Sequence, residues 1–315
     1  MNCICRICGS EYKGKMIKLN GICFGAVGSW DYFKCENCGC FQIKEIPDNL
    51  QDFYDLDGYY SLNTSTEGFR IRMWDHLFKY QVKKRDFLGK LISIVFPCNY
   101  KFMRNVPMDV SIIDVGCGDG QRLRQLQKIG FKNLFGLEPY IKEEITYSSK
   151  GRKISIFKGS LDDPQYIIDR KFDYVIFEHS FEHICDENIV LKRAKELLNP
   201  GGHIVIKIPQ FSNRYWAKFG VDQIQFDPPR HIYIHTYESM KFLAEKYGME
   251  IVSYSTETEP TEYVAARSIR KKKTAGIKDI PIFQLLLYGV FTYPERNRLD
   301  KMKDGAYATF VLCSK

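Results

Sequence analysis

Short apolar runs alternate with helix-length amphipathic segments from residue 111 onward. Between the first two runs, residues 121–128 place leucines at helical spacing, and a further helical pattern runs from about 187 to 198. Such alternation is typical of parallel strand–helix–strand units, and so of an α/β fold. The predicted strands, with the turns or loops into which they run, lie at residues 111–120, 133–139, 154–162, 172–179 and 203–209.

The segment before this region has a different pattern. Residues 47–64 are rich in tyrosine and form an aromatic connector, and residues 67–94 carry apolar side chains at helical intervals. That spacing predicts an amphipathic helix packed on the main domain. Residues 97–107, bounded by two prolines, then interrupt the pattern.

The first predicted strand ends in a glycine-rich turn, Gly116-Cys117-Gly118-Asp119-Gly120. Alternate glycines allow positive φ angles and let a ligand lie against the main chain, and the N-terminus of the following helix favours an anionic group. A glycine-rich loop alone is a weak signal. Gln121 follows it, so the dinucleotide pattern G-x-G-x-x-G is not met, and the Gly-Lys-Ser/Thr ending of a phosphate-binding P-loop is missing as well.

An acidic residue, Glu138, ends the second predicted strand 22 positions after Gly116 (138 − 116). A carboxylate about 20 residues beyond the glycines of such a fold is placed to accept hydrogen bonds from both hydroxyls of a ribose. The turn and Glu138 together therefore indicate a site for a nucleoside-containing ligand.

The composition is that of an ordinary globular protein, with 44% hydrophobic and 27% charged residues in 315 positions. This length allows one large α/β domain and a small attachment. We find no apolar run of membrane-spanning length and no secretory signal at residue 1, and we expect a cytoplasmic protein. The net charge of +8 suits an anionic substrate but is also common on a solvated surface.

Cysteine is concentrated at the N-terminus, where seven of the eleven cysteines lie within the first forty residues. Cys5 and Cys8 form one C-x-x-C pair, and Cys35 and Cys38 form a second; each pair is followed by glycine. This spacing predicts a zinc ribbon with four thiolate ligands over residues 1–45, although Cys3 or Cys40 could replace one ligand. A zinc ion with four protein ligands has no open position, so we expect a structural role or nucleic-acid contact.

The order of these motifs resembles class I S-adenosylmethionine-dependent methyltransferases. The resemblance spans about residues 109–209 and implies a Rossmann-like, mostly parallel seven-stranded sheet with one antiparallel strand, contributed by residues 306–312. It also implies a domain of residues 109–315 preceded by a connector and helical lid at 46–108, with an insertion at about 262–304. The motifs that carry it are Asp114 to Gly120, Glu138, Phe172 to Val175 with Glu182 to Ile184, and Leu198 to Gly202.

The cysteine-rich start looks like the zinc-binding front of sugar methyltransferases, and Asp227 to Tyr233 resembles the Pro-Arg-His segment of methyltransferases from polysaccharide gene clusters. The implied function is methyl transfer from S-adenosylmethionine to a sugar or nucleotide sugar in surface-glycan synthesis. Two alternatives remain open. One is an RNA methyltransferase that uses the ribbon and the basic run Arg270 to Lys273, and the other is a non-catalytic cofactor-binding module.

The resemblance also assigns roles to residues. Since a general base must take the proton of a hydroxyl acceptor, we rank His231 first, His183 second and His179 third. Arg230 and Tyr233 are the predicted substrate contacts, and an active-site metal held by Glu182 or Asp186 with a histidine is less favoured. The predicted cofactor contacts are Asp114, Gly116, Cys117, Gly118, Glu138, Ser160, Leu161 and Glu178.

Overall fold

The computed structural model describes residues 3–21, 26–54, 69–97, 100–149, 151–161, 170–261 and 282–315. Most of the aromatic connector, the basic run 270–273 and the first part of the predicted insertion lie outside these ranges. None of the helices in the described ranges is both long and apolar enough to cross a membrane.

The N-terminal residues form small antiparallel strands around the two cysteine pairs. Strands β1 (Cys3–Ile4) and β2 (Glu11–Tyr12) pair with each other, and β3 (Ile17–Asn20), β4 (Ser29–Lys34) and β5 (Phe41–Ile43) form a second sheet. Each C-x-x-C pair lies in the turn of a hairpin, since the amides of Gly9 and Gly39 donate to the carbonyls of Cys5 and Cys35.

The segment predicted as one amphipathic helix over 67–94 is two helices, α1 (Phe69–Lys83) and α2 (Phe87–Val95). The chain turns at Lys84, whose φ is +53°, and the carboxylate of Asp86 then caps α2 by accepting a hydrogen bond from the Gly89 amide at 2.8 Å. Apolar periodicity could not reveal this break, because the helical pattern continues on both sides of it.

The main sheet contains eight strands in the order β13-β14-β11-β10-β6-β7-β9-β8. They are β6 (Ser111–Val115), β7 (Asn133–Glu138), β8 (Ile145–Ser149), β9 (Arg152–Lys158), β10 (Phe172–Glu178), β11 (Leu198–Pro209), β13 (Met249–Glu257) and β14 (Tyr307–Ser314), with β12 (Tyr233–Ile234) lying elsewhere. The helices that follow α2 are α3 (Gln121–Ile129), α4 (Glu187–Glu196), α5 (Asn213–Phe219), α6 (Tyr237–Lys246) and α7 (Ile282–Lys301).

The predicted Rossmann-like, mostly parallel sheet is confirmed, but the expected seven strands with one antiparallel member are corrected. As expected, β14 runs antiparallel between β11 and β13. The additional strand, β8, runs antiparallel to β9 at the other edge. A tight turn with Gly151 at φ +74° joins these two strands, so residues 145–158 form a hairpin where a single strand was expected.

Both faces of the main sheet are buried. On β6, Ile112 and Ile113 are both fully buried, yet they belong to two separate hydrophobic clusters, because successive side chains of a strand point to opposite faces. On the neighbouring strand β10, Val175 and Ile176 likewise belong to the two different clusters. Continuous apolar runs in the sequence therefore reflect a sheet covered on each side.

The short strand β12 joins the N-terminal sheet to the main domain. Tyr233 pairs with Gln42 and Ile234 with Phe41, so β12 completes the sheet of β3, β4 and β5. The cysteine-rich segment and residues 233–234 therefore share one hydrogen-bonded sheet, which fixes the position of the preceding segment, 227–232.

Candidate active site

A cleft of about 460 Å³ lies at the carboxyl ends of β6, β7, β9 and β10. Open α/β sheets bind ligands at this edge, and the volume falls within the range of small-molecule sites. Its described lining residues are Gln51, Tyr54, Val115, Gly116, Leu137, Glu138, Pro139, Tyr140, Gly159, Ser160, His179, Ser180, His183, Ile184, Cys185, Asp186, Ile189 and Val190.

The glycine turn forms one wall of this cleft. Gly116 has a φ of +75°, and its amide donates to the Leu137 carbonyl at 2.7 Å. A Cβ at this position would lie 2.4 Å from the Cβ of Ser180. The turn therefore needs glycine both for its backbone conformation and for the close approach of the loop after β10.

Glu138 ends β7 and faces the same cleft. Its carboxylate accepts hydrogen bonds from the amides of Gly118 at 2.9 Å and Tyr140 at 3.1 Å. Burial raises the pKa of Glu138, while these two amides act in the opposite direction. A carboxylate has about four lone-pair sites, so two further acceptor positions are available for a ligand.

The other predicted cofactor contacts divide into two groups. Gly116, Glu138 and Ser160 line the cleft, whereas Asp114, Cys117, Gly118 and Leu161 are not among its described lining residues. Gly118 contributes to the site indirectly, because its amide donates a hydrogen bond to the Glu138 carboxylate. Asp114 is buried, and burial, together with the nearby Glu178 carboxylate, raises its pKa well above the usual range.

Glu178, predicted as a cofactor contact, is not among the described lining residues of the cleft. Arg122 holds its carboxylate at 2.8 and 3.0 Å, Lys207 lies 3.4 Å away, and the Tyr100 hydroxyl donates to it. Although burial opposes ionisation, Arg122 and Lys207 lower the pKa of Glu178. Its position at the end of a strand suggested a ligand contact, but the cations that neutralise it come from α3 and β11.

Three histidines surround the buried carboxylate of Glu182, which lies in the helical turn Phe181–His183 after β10. The Nδ1 atom of His179 lies 3.7 Å from Oε1 of Glu182, and Nε2 of His231 lies 4.0 Å from the same oxygen. The rings of His183 and His231 meet edge to face, with centroids 4.8 Å apart. The sequence suggested each histidine separately and did not place Glu182 at their centre.

The electrostatics of this group follow from burial and proximity. Although burial opposes it, the three imidazoles lower the pKa of Glu182 to about 2. Burial, together with the charge of His231, lowers the pKa of His183 to about 4. At neutral pH Glu182 is therefore a carboxylate, and His183 is a neutral imidazole.

The predicted order of the three histidines does not match their exposure to the cleft. His179 and His183 line it, and the His179 side chain is 37% exposed, whereas His231 is not among the described lining residues. His179 also adopts a φ of +56°, which is uncommon for a residue with a side chain and is often found at functional sites.

The two predicted substrate contacts are buried and bonded to other parts of the protein. Arg230 is fully buried, and its guanidinium binds Asp227 at 2.6 and 2.8 Å and the Phe53 carbonyl at 3.0 Å. Tyr233 is 2% exposed, and its hydroxyl donates to the Cys185 carbonyl at 3.2 Å. Both side chains instead hold the 227–234 segment in place.

Two aromatic residues at the cleft were missed by the sequence interpretation. Tyr54 and Tyr140 line the cleft and stack with ring centroids 4.8 Å apart and an interplanar angle of 14°. They are far apart in the sequence, so no local pattern links them. The sequence did offer one indication for Tyr140: it lies two positions after Glu138, which was predicted to contact the ligand.

The four predicted metal ligands lie together between the two hairpin turns, and Cys5, Cys35 and Cys38 are buried. The Sγ atoms of Cys5, Cys8, Cys35 and Cys38 all lie within 4.8 Å of one another. The Gln42 side-chain amide donates to Cys5 at 3.0 Å. The hydrogen bond from Cys38 lowers the pKa of the Cys5 thiol, which favours the thiolate. Cys3 and Cys40 are not part of this four-residue cluster.

The chain is similar to known methyltransferases. The family model for the methyltransferase domain matches residues 72–254. Ubiquinone biosynthesis O-methyltransferase from Proteus mirabilis is 21% identical over 54% of this chain, which spans 65% of that protein's length. The same-named protein from Vibrio parahaemolyticus is 21% identical over 72% of this chain and 86% of its own.

Among solved structures, the O-methyltransferase of a trans-AT PKS multienzyme of Brevibacillus brevis, in complex with S-adenosyl-L-homocysteine, is similar with a TM-score of 0.40 and 16% identity, over 71% of both chains. The family match covers more than half of this chain and includes the glycine turn, Glu138 and the histidine group. The protein therefore belongs to the methyltransferase domain family.

Proposed function

We propose that this chain transfers the methyl group of S-adenosylmethionine to a hydroxyl group of a small molecule. The observation that carries the proposal is the cleft itself, where the Gly116 turn, the Glu138 carboxylate and an exposed histidine meet at one sheet edge. The family match to the methyltransferase domain supports the choice of methyl donor.

Glu138 would hold the ribose of the donor. Its two bonds to main-chain amides orient the carboxylate and leave acceptor sites for both ribose hydroxyls. Gly116 would let the methionine portion lie against the main chain, and Ser160 with the adjacent Leu161 would border the adenine.

Methyl transfer is an in-line displacement, and much of its rate comes from holding the acceptor oxygen opposite the departing sulfur. A base must also take the acceptor's proton. We assign this role to His179, because it lines the cleft and its Nδ1 faces the Glu182 carboxylate at 3.7 Å. The carboxylate would hold the proton on Nδ1, so that Nε2 accepts the acceptor's proton.

For the acceptor we propose a sugar or nucleotide sugar. The support is the resemblance of the cysteine-rich front and of the segment 227–233 to methyltransferases of polysaccharide gene clusters. Arg230 gives no support, since it is buried against Asp227. Turnover with nucleotide sugars but not with intermediates of ubiquinone biosynthesis would establish this class, and the reverse result would point to the pathway in the name of the similar O-methyltransferases.

We also propose that the four-cysteine cluster binds a structural zinc ion. Four thiolates from two hairpin turns are the usual closed zinc site, and the Sγ separations suit a tetrahedral ion after a small contraction. Such a site takes no part in chemistry. Its role would be to hold the N-terminal sheet, and with it β12, against the main domain.

Glu138→Ala is expected to weaken S-adenosylhomocysteine binding by roughly 10- to 150-fold, since hydrogen bonds to a charged group contribute about 1.5–3 kcal/mol. Isothermal titration calorimetry measures this. Glu143→Ala, which removes an exposed carboxylate five residues away, is the matched control and should bind normally. If the unaltered protein does not bind S-adenosylhomocysteine, the proposed function is wrong.

Gly116→Ala is expected to reduce S-adenosylhomocysteine affinity at least about tenfold, because a left-handed backbone costs an alanine roughly 1–2 kcal/mol and the new methyl group meets Ser180. Gly151→Ala is the control. Gly151 has nearly the same φ, +74°, but a Cβ there has no neighbour within 4 Å. The control should lose stability in thermal unfolding and keep its affinity. Equal affinity in both variants would contradict the assigned role of Gly116.

A further inference from the structure

We infer that Glu182, His183 and His231 form a binding site for a divalent metal ion, separate from the four-cysteine cluster. Each residue offers one ligand atom, and these atoms all lie within 4.8 Å of one another. The inference goes beyond the proposed methyl transfer and does not depend on it.

The first observation is the carboxylate of Glu182. The residue is 1% exposed, and neither side-chain oxygen has a hydrogen-bond partner among the residues that the structure describes. A buried charged group without partners is costly, and such a group in a native protein needs an explanation. Among the described residues, the groups paired with this carboxylate within 4.0 Å are the imidazoles of His179 and His231, and the like charge of Glu187 also acts on it.

The second observation is the way the two imidazoles are held. Nδ1 of His183 lies 3.0 Å from the Arg230 carbonyl, and Nδ1 of His231 lies 2.6 Å from the Gln225 carbonyl. A carbonyl oxygen only accepts, so each Nδ1 carries the proton in these two bonds; the Tyr54 hydroxyl, 3.1 Å from Nδ1 of His183, can accept from it as well. In the neutral form of each ring the Nε2 atom then has a lone pair. Histidine ligands of metals are typically oriented by such a bond on the other ring nitrogen.

The buried Glu182 carboxylate and the orientation of the two imidazoles both call for a positively charged group between them. One ring nitrogen of each imidazole and a carboxylate oxygen converge. With both rings neutral and their lone pairs turned toward Glu182, all three groups are hydrogen-bond acceptors with no donor from the described part of the chain between them, and a cation bound there would satisfy them together. Around a tetrahedral zinc ion with bonds of about 2.0–2.1 Å, neighbouring ligand atoms are about 3.3 Å apart, so the three groups need to move together by about 1 Å or a little more.

The ligand chemistry selects the ion. Imidazole suits zinc, iron, nickel or copper, whereas magnesium and calcium prefer oxygen ligands. Two histidines and one carboxylate leave coordination positions open. Because His183 also lines the cleft, the ion would lie at the cleft wall. Nδ1 of His179 lies 3.7 Å from Oε1 of this carboxylate, so the ion and His179 would share the two oxygens of Glu182.

The test is a cobalt(II) titration of zinc-loaded protein from which weakly bound metal has been removed by a chelating resin. We expect one further equivalent of cobalt(II), with visible absorption bands but no thiolate-to-cobalt charge-transfer band, because a nitrogen and oxygen site contains no sulfur. Glu182→Gln and His231→Ala should weaken this binding by at least about a hundredfold. His203→Ala, whose ring stacks on Tyr174 away from the cluster, should bind as the unaltered protein does.

The titration of the unaltered protein decides the matter even if a variant misfolds. Absence of a second equivalent overturns the inference, and a proton shared between Glu182 and an imidazole would then explain the cluster. Cobalt binding that is equally tight in Glu182→Gln also overturns it. The titration measures metal binding alone. A negative result therefore does not test the proposed methyl transfer, and absence of methyl transfer does not test the proposed metal site.

Discussion

His179→Ala is expected to lower turnover by about 10²- to 10⁴-fold while S-adenosylhomocysteine affinity stays within about twofold of normal. Proton transfer by a positioned side chain typically contributes a factor of this size. The physical reason is the location of His179 in the cleft, with Nδ1 facing Glu182 at 3.7 Å and the other ring nitrogen available to an acceptor. Single-turnover methyl transfer from labelled donor, together with calorimetry, separates the chemical step from binding.

His203→Ala is the matched control for this experiment, because it removes an imidazole that stacks on Tyr174 and does not line the cleft. Its turnover should be normal. A normal rate in His179→Ala would disprove the assignment and return the base to His183, the other histidine of the cleft wall. His231→Ala does not separate these two, since His231 contacts both Glu182 and the 225–230 loop.

Cys38→Ser is expected to remove one equivalent of zinc and to unfold the N-terminal sheet. Structural zinc sites contribute about 10–16 kcal/mol of binding energy in zinc-finger peptides, and that energy is folding energy. Since β5 pairs with β12, the loss should reach Tyr233 and Ile234 in the main domain. Metal analysis gives the zinc content, and hydrogen exchange should show faster exchange of the backbone amides of residues 41–43 and 233–234.

Cys313→Ser controls for the loss of a thiol as such, because Cys313 lies on β14, outside the four-cysteine cluster. It should keep both its zinc and its exchange pattern. If Cys38→Ser retains the full zinc content with all thiols reduced, the four-cysteine site is wrong. If zinc is lost but exchange at 233–234 is unchanged, the ribbon binds zinc without supporting β12.

The sequence was most informative where a pattern depends on neighbours along the chain. Strands β6, β7, β10 and β11 were predicted because each is a continuous apolar run, and such runs are required when both faces of a sheet are covered. The break between α1 and α2 and the β8–β9 hairpin were missed. Each depends on a single turn, at Lys84 or Gly151, within an otherwise unbroken pattern.

In the candidate site, too, features set by local spacing were predicted, and features set by distant contacts were not. Gly116 and Glu138 were found because their separation along the chain follows from the length of one strand–helix–strand unit. The ion pairs of Glu178 could not be predicted, because its partners, Arg122 and Lys207, come from distant parts of the sequence. Arg230 and Tyr233 were assigned to substrate, since sequence cannot show that their side chains are buried against Asp227 and Cys185.

The sequence by itself determined the Rossmann-like sheet, the glycine turn with its carboxylate, and the pairing of two C-x-x-C turns, because local periodicity and fixed spacing encode each of these. Only the tertiary structure decided which histidines face the cleft and that β12 ties the cysteine-rich sheet to the main domain. It also revealed that Glu182 lies buried among three imidazoles. These features depend on contacts between residues far apart in the chain, and burial and distance, not spacing, determine their chemistry.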